Sequence, residues 1–274
     1  ALEYDGPQLR DVVPALASWR RRYRELSALS SWRYRICWQP TTTTRAARLA
    51  GIWLLVLPAG RTDHPWIGGC ERALRDHGAE VRHLTVPAGV GRADLTRLVE
   101  TVVGNNDGDG DNVGDGVGRA RVTGVLSLLA LGEDPDAAAP ALTSGTLANL
   151  ALLQALGDAD LAAPLWYATR GAVSTADSDL LTSPAQAATW GLGRVAAVEY
   201  PHRWGGLIDL PEGADEPSMS LLAAILAGTT GEDQVAVRAA GLAAARLTRV
   251  SPNEPPAGRG WQPPRGTVLV TGGL

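Results

Sequence analysis

The chain has 274 residues, 45% of them hydrophobic, and a formal net charge of -4 at pH 7. This length and apolar content suffice for one large globular domain or two small ones, and they exclude a chain that is disordered throughout. The acidic balance provides no basic surface for nucleic acid or for an anionic membrane, so we expect neither as a partner. The sequence has only two cysteines, no apolar run near the roughly 20 residues of a membrane span, and no basic-then-apolar leader. These features favour a cytoplasmic protein without a disulfide framework.

Lysine is missing from the sequence, so all 25 basic residues are arginines. Mechanisms that need a lysine amine are therefore excluded. They include Schiff-base formation, phosphate binding by a P-loop lysine, and the Tyr-x-x-x-Lys pair with which short-chain reductases protonate a carbonyl oxygen. No serine lies in a Gly-x-Ser-x-Gly elbow, so a hydrolase of that class has no nucleophile either. We predict no catalytic residue in this chain.

An amphipathic helix is predicted between positions 9 and 26, because apolar residues recur there at steps of three and four. The stripe consists of Leu9, Val12, Val13, Leu16, Trp19, Tyr23 and Leu26. Ahead of the first strand, such a stripe must be buried either against its own domain or against a second copy of the chain. The sequence leaves both interpretations open.

The first half of the chain then alternates strands and a helix. Large apolar and charged residues alternate over 32–40, which predicts an edge strand with one solvated face. Continuous apolar runs at 52–57 and 81–86 predict two buried strands joined by a helix near 67–77. The Asp-, Asn- and Gly-rich stretch 105–118 predicts a solvated loop rather than a calcium loop, since Asn112 stands where an EF-hand needs its turn glycine.

The alternation continues after this loop and predicts a mostly parallel sheet. Predicted strands cover 122–131, 165–169 and 206–210, and predicted helices cover 141–156, 184–199 and 218–227. Two short strands, 234–238 and 243–250, predict a closing hairpin. Gly191 and Gly193 lie inside a predicted helix, which favours close helix packing over cofactor binding.

Other residue groups favour structural roles. Cys70, His77 and His83 lie near one another in the sequence, but their spacing matches no zinc pattern, so we predict no metal site. The tryptophans are expected to fill the core rather than to build a ligand cage. Those that support this expectation are Trp53, Trp66, Trp166, Trp190 and Trp204.

The C-terminal residues predict a new unit. Residues 251–265 include five prolines and predict an extended linker. Residues 266–274 read Gly-Thr-Val-Leu-Val-Thr-Gly-Gly-Leu, a buried strand that runs into a glycine turn, as at the start of a dinucleotide-binding fold. Thr271, Gly272 and Gly273 are the candidate cofactor-binding residues, while the helix and the ribose-binding residue of such a site would follow Leu274.

The segment Ala188-Thr-Trp-Gly-Leu-Gly-Arg-Val-Ala-Ala-Val-Glu-Tyr-Pro-His-Arg-Trp-Gly-Gly-Leu-Ile-Asp-Leu-Pro211 resembles a signature of ketoreductase domains in modular type I polyketide synthases. The order of the remaining elements is similar to that family as well. Residues 32–40 resemble its first strand, 124–130 its central strand, 231–238 its late hairpin, and 266–273 its junction into the catalytic half. The resemblance covers nearly the whole chain.

The resemblance implies a domain of two joined Rossmann-like halves, of which the first has lost cofactor binding and supports the second. This chain resembles the first half, an α/β, truncated Rossmann-like fold with a mostly parallel sheet, preceded by an N-terminal helix. Residues 1–30 would form that helix, as a linker or part of a dimerization element. The structural subdomain would cover 31–250, the proline-rich linker 251–265, and the first strand of the NADPH-binding catalytic subdomain 266–274.

The resemblance also implies a reaction for the parent domain, the NADPH-dependent reduction of a β-ketoacyl chain on an acyl carrier protein. The family's catalytic serine, tyrosine, lysine and asparagine lie beyond the junction, so we expect this fragment to be inactive alone and to bind no cofactor alone. Its expected partners are the catalytic subdomain and the acyl carrier protein, with a homodimer through residues 9–26 as a further expectation. The alternatives are a dimerization module and an independent nucleotide-binding enzyme.

Overall fold

The computed structural model describes residues 6–44, 46–61, 63–104, 121–250, 265–269 and 271. The predicted loop at 105–118 and nearly all of the predicted linker at 251–265 lie outside these residues. By its contacts the chain divides into two compact units, residues 38–246 and residues 1–37 with 247–274.

The sheet has eight strands in the order β1-β8-β7-β6-β5-β4-β2-β3. The strands from β2 to β7 pair in parallel, and only the β7–β8 hairpin pairs antiparallel among the registers that the described residues show. This confirms the mostly parallel sheet and places β1 at its edge, as predicted. The strands are β1 Tyr34–Thr41, β2 Ile52–Pro58, β3 Glu80–Val86, β4 Val122–Ser127, β5 Leu165–Arg170, β6 Trp204–Leu210, β7 Gln234–Arg238 and β8 Gly241–Arg249.

Helices cover both faces of the sheet. Helices α2 and α6 pack together on one face, and α3, α4 and α5 pack in a row on the other. The helices are α1 Gly6–Ser31, α2 Pro65–Asp76, α3 Arg92–Gly104, α4 Ser144–Asp158, α5 Ala187–Glu199 and α6 Glu216–Leu226. A parallel sheet needs this double cover because both of its faces are apolar.

Strand β2 shows why the central strands are continuous apolar runs. Leu54 and Val56 pack toward the side of α3 to α5, while Leu55 and Leu57 pack toward α2 and α6. Since successive side chains of a strand point to opposite faces, each strand contributes to two cores. The predicted role of the tryptophans is confirmed for Trp53, Trp66, Trp166 and Trp190, which are all buried, while Trp204 is half-buried.

Three details differ from the sequence predictions. The predicted strand 122–131 ends at Ser127, and Leu129–Leu131 form a 3-10 turn in which the Leu129 amide donates to Ser127 Oγ over 3.3 Å. The run looked like one strand because its leucines stay buried after the turn. Helix α3 was not predicted.

The two glycines of α5 have different surroundings. Gly193 packs closely, since a Cβ there would lie 2.5 Å from Leu207 Cδ2. Gly191 faces open space, so the packing role predicted for Gly191 is wrong.

The second unit carries few buried side chains. Helix α1 is longer than predicted, and its stripe residues Leu16, Trp19 and Tyr23 are 56 to 63% exposed. The side chains of Leu9 and Leu26 lie outside the described residues. The strand predicted within 266–274 is not formed over 266–269, where Val268 and Leu269 are exposed. The helix stripe and residues 268–269 therefore both expose apolar side chains that their own unit does not bury.

Candidate functional site

In open α/β sheets, ligands bind beyond the carboxyl ends of the strands, where the strand order reverses. Here the order reverses at β2, because β3 lies on one side of it and β4 on the other. Strand β2 ends at Pro58, and a short loop leads into α2. A dinucleotide site in this unit would therefore place its pyrophosphate at the N-terminus of α2.

The N-terminus of α2 has no amides to offer an anion. Pro65 occupies the first helical turn and carries no N–H. The Trp66 amide donates to His64 Nδ1 over 3.3 Å, and the Ile67 amide donates to the His64 carbonyl over 2.9 Å. At the positions that would bind a phosphate, the backbone N–H group is thus either missing or already hydrogen-bonded within the chain.

The protonation state of His64 suits this capping role. Burial lowers the pKa of His64 below its usual value, and the positive charges of Arg170 and Arg61 lower it further. A neutral imidazole has a ring nitrogen that accepts a hydrogen bond. His64 therefore stays a cap for Trp66 at neutral pH.

The indole of Trp66 fills the crevice over the neighbouring strand ends. Its Nε1 donates to the Glu212 carbonyl over 3.3 Å, and its side chain is 2% exposed. The void left beside it, against Leu128, Ala168 and Arg170, measures about 10 Å³. Since a single water needs roughly 10–15 Å³, a nucleotide does not fit there.

A second cleft lies between the ends of β2 and β3 and the first turn of α4. It encloses about 70 Å³ and is lined by Arg61, Val86, Leu129 and Gly145, among others. A Cβ at Gly145 would collide with the Leu129 carbonyl oxygen, so this wall is formed by backbone in close contact. Sites for small molecules and cofactors usually measure about 300–1,000 Å³, so this cleft also fails to fit a dinucleotide.

The carboxyl ends of β5, β6 and β7 are joined by a buried polar cluster around Asp209. Asp209 is fully buried and accepts hydrogen bonds from Thr169 Oγ1 at 2.6 Å, the Ala172 amide at 2.9 Å and Arg238 Nη2 at 2.8 Å. Arg238 Nε also donates to Asp179 Oδ2 at 2.8 Å. We call these five residues the Asp209 cluster. The cluster fixes the loop between β5 and α5 onto the ends of β6 and β7.

The electrostatics of the Asp209 cluster indicate a structural role. Burial raises the pKa of Asp209, while hydrogen bonds from Thr169, Ala172 and Arg238 oppose that rise. At Asp179 the balance is reversed: burial raises the pKa, but hydrogen bonds from Thr175 and Arg238 hold it below its usual value. A carboxylate without solvent access and with three donors is positioned to hold a loop, not to exchange protons with a substrate.

The cysteine and two histidines that lie near one another in the sequence are in environments that favour structural roles. Burial raises the pKa of the Cys70 thiol to about 12, which leaves it protonated and unreactive. His77 Nδ1 lies 2.8 Å from the Ala73 carbonyl, and His83 Nε2 lies 3.4 Å from Glu71 Oε1. Across the described ranges no three His, Cys, Asp or Glu side chains are grouped as a metal ion would require.

The predicted cofactor-binding residues are only partly described. Thr271 lies in an exposed bend, and Gly272 and Gly273 lie outside the described residues. The closure of the α2 N-terminus was not predicted from the sequence, although His64 followed by Pro65 at a strand-to-helix turn was a visible signal. The Asp209 cluster was not predicted either, because its hydrogen-bonded members are separated by as many as 59 positions along the chain.

The described helices include none with both the length and the apolar character to cross a bilayer.

The sequence matches one family model over the whole of the unit of residues 38–246. Residues 38–247 match the family described as "Polyketide synthase extender module SpnB, Rossmann fold domain". The chain is 46% identical over 266 residues to polyketide synthase GfsA of Streptomyces halstedii, covering 96% of this chain and 3% of that synthase. It is 43% identical over 274 residues to the pikromycin synthase component PikAII of Streptomyces venezuelae, covering 95% of this chain and 7% of that protein.

Solved structures agree with the sequence comparisons. A C2-type ketoreductase from a modular polyketide synthase matches with a TM-score of 0.70 and 46% identity, over 81% of this chain and 44% of that chain. An A1-type ketoreductase matches with a TM-score of 0.71 and 36% identity, over 84% of this chain and 45% of that chain. The chain thus spans a few per cent of these synthases and under half of these ketoreductases. It belongs to the family of Rossmann-fold domains of polyketide synthase extender modules, and specifically to the ketoreductase region of a modular type I synthase.

Proposed function

We propose that this chain is the non-catalytic structural half of a polyketide synthase ketoreductase. In this proposal it stabilises a second, catalytic half that reduces a β-ketoacyl group on an acyl carrier protein with NADPH. The observation that carries the proposal is the closed N-terminus of α2, where His64, Pro65 and Trp66 leave no amide and no space for a pyrophosphate.

Two further observations support it. The absence of lysine removes the residue that a reductase of this class uses beside its tyrosine. The Asp209 cluster occupies the ends of β5 to β7 with fully hydrogen-bonded groups, which suits a rigid scaffold. In this account the catalytic half and the acyl carrier protein are the partners, and cofactor binding belongs to the catalytic half.

A titration with NADPH tests the cofactor part of the proposal. Purified residues 1–274 are titrated while tryptophan fluorescence is recorded, and the solved A1-type ketoreductase serves as the positive control. We expect a saturable signal from the control and none from this chain, because Trp66 occupies the crevice. Saturable micromolar binding by residues 1–274 would instead favour an independent nucleotide-binding enzyme.

Self-association through α1 is a second candidate function, favoured by the exposed stripe. Trp19 and Tyr23 stack with their ring centroids 5.4 Å apart, and Leu16 continues the same face one turn earlier. We propose that this face packs against α1 of a second copy. Sedimentation of the chain with and without residues 1–30 tests this: the intact chain is expected at the mass of a dimer and the truncated chain at that of a monomer. An unchanged assembly state would remove dimerization from the proposal.

A further inference from the structure

Strand β1 and the end of β8 form a two-stranded ribbon within the unit of residues 1–37 and 247–274. The Val250 amide donates to the Arg33 carbonyl over 2.9 Å, which fixes the pairing. On one face Cys37 Sγ lies 3.0 Å from Thr248 Oγ1. On the other face Arg249 Nη2 donates to the Tyr34 hydroxyl over 2.9 Å.

These two contacts determine which residues share a face. Because alternate residues of a strand point to the same side, Ile36 lies on the side of Tyr34, and Leu247 lies on the side of Arg249. We call Tyr34, Ile36 and Leu247 the ribbon face. It is apolar, whereas the opposite face presents the polar Cys37–Thr248 contact.

The ribbon face is exposed. Tyr34 is 48% exposed, Ile36 44% and Leu247 71%. Helix α1 of the same unit does not shield it, since the apolar side chains of Leu16 and Trp19 are themselves more than half exposed. An apolar sheet face of this kind is typical of a surface that a partner covers.

We infer that the ribbon face is the docking surface for the catalytic half of the ketoreductase, an inference that rests on the proposed function. In the proposed function this chain is followed by that half, and the described residues 265–269 belong to the same compact unit as the ribbon. Val268 and Leu269 are exposed there as well, at 55% and 87%. The matched region is 44 to 45% of the solved ketoreductases, so more than half of each of those chains is available as the partner.

The chemistry of the ribbon face defines what fits it. Arg249 lies over the Tyr34 ring, with 5.4 Å from its guanidinium carbon to the ring centroid, so a positive charge borders the apolar side chains. The complementary patch is apolar at its centre and carries a carboxylate where it meets Arg249. Burial of the central side chains supplies affinity, and the rim charge sets orientation.

A co-expression experiment tests the inference. Residues 1–274 are produced together with a tagged catalytic half of the solved C2-type ketoreductase, and the affinity within the purified pair is measured. The variant Ile36→Asp/Leu247→Asp is expected to weaken binding at least about tenfold, as for buried interface side chains. The matched control is Leu180→Asp, which changes an exposed leucine in the other unit and is expected to bind like the wild type.

A second measurement does not depend on substitutions. Hydroxyl-radical footprinting compares Tyr34, Ile36 and Leu247 in residues 1–274 alone and in a protein that joins this chain to the same catalytic half. Several-fold protection of these three side chains in the joined protein is expected. Equal labelling, or equal binding by the double variant, would overturn the inference and leave the proposed function intact.

Two further outcomes distinguish a failure of the inference from a failure of the proposed function. If wild-type residues 1–274 fail to bind the catalytic half at all, the proposed function fails and the inference fails with it. If wild-type residues 1–274 sediment as a dimer and the double variant sediments as a monomer, the ribbon face binds a second copy, and the inference is contradicted.

Discussion

The two units of the chain differ in how they bury apolar groups. In residues 38–246 the sheet is covered on both faces, and Leu54, Leu55 and Val56 are fully buried. In the unit of residues 1–37 and 247–274, Trp19, Ile36 and Leu247 are exposed. The first unit is complete as a scaffold, whereas the second presents surfaces that require partners. Substitutions in the first should therefore change stability, and substitutions in the second should change association.

The largest effect is expected from Asp209→Ala. Removal of this carboxylate leaves Arg238 and Thr169 with one acceptor fewer in a buried site, which should lower the free energy of unfolding by about 3 kcal/mol. Urea unfolding followed by tryptophan fluorescence measures it. Asp209→Asn is the control, since it keeps one acceptor oxygen and should cost less. A loss below about 1 kcal/mol for the alanine variant would show that the Asp209 cluster does not hold this unit together.

A matched pair of glycine variants should change stability in opposite directions. Gly193→Ala places a Cβ 2.5 Å from the buried Leu207 Cδ2 and should cost about 1–3 kcal/mol. Gly191→Ala meets nothing within 4 Å and should raise stability by about 0.5–1 kcal/mol, because alanine loses less backbone entropy in a helix. Both values come from the same urea assay. Equal effects in the two variants would contradict the close packing of α5 on β6.

The N-terminal cap of α4 should contribute less to the free energy of unfolding than the Asp209 cluster does. Thr143 Oγ1 accepts from the Thr146 amide over 3.2 Å, and Thr143→Ala should cost about 1 kcal/mol. Thr143→Ser keeps the hydroxyl and should stay close to the wild type. If serine and alanine cost the same, the loss comes from packing of the methyl group and not from the cap.

The smallest effect on unfolding is expected in the exposed unit. Leu16→Asp changes a side chain that is 56% exposed and should alter the free energy of unfolding by at most about 0.5 kcal/mol. The same variant should weaken self-association in sedimentation experiments, since it places a charge in the stripe of α1. A stability loss comparable to that of Asp209→Ala would show that α1 is buried in its own chain.

The sequence predicted those parts of the fold that local patterns determine. Strand β2 is a continuous apolar run, and β5 and β6 are mostly apolar. The β7–β8 hairpin turns just before Gly241, where φ is 114° and glycine is favoured. Helix α1 followed from its three-and-four periodicity. The family resemblance rested on the 24-residue segment 188–211, which forms α5 and β6.

What the sequence missed depends on contacts between distant residues. The 3-10 turn after β4 depends on the Ser127 hydroxyl, and the different roles of Gly191 and Gly193 depend on where Leu207 lies. That Ile36 and Leu247 lie side by side and exposed could be predicted only with knowledge of how β1 pairs with β8. The closure of the crevice by Trp66 could be predicted only in part. Pro65 is a local signal, whereas the space that the indole fills is formed by β5, β6 and the turn after β4.

The most direct test of the central claim is an activity measurement on purified residues 1–274. The chain is mixed with NADPH and a β-ketoacyl thioester, and the oxidation of NADPH is followed against a buffer blank and against the solved A1-type ketoreductase. A structural half predicts no oxidation above the blank while the control turns over. Oxidation that rises in proportion to the concentration of this chain would contradict that role.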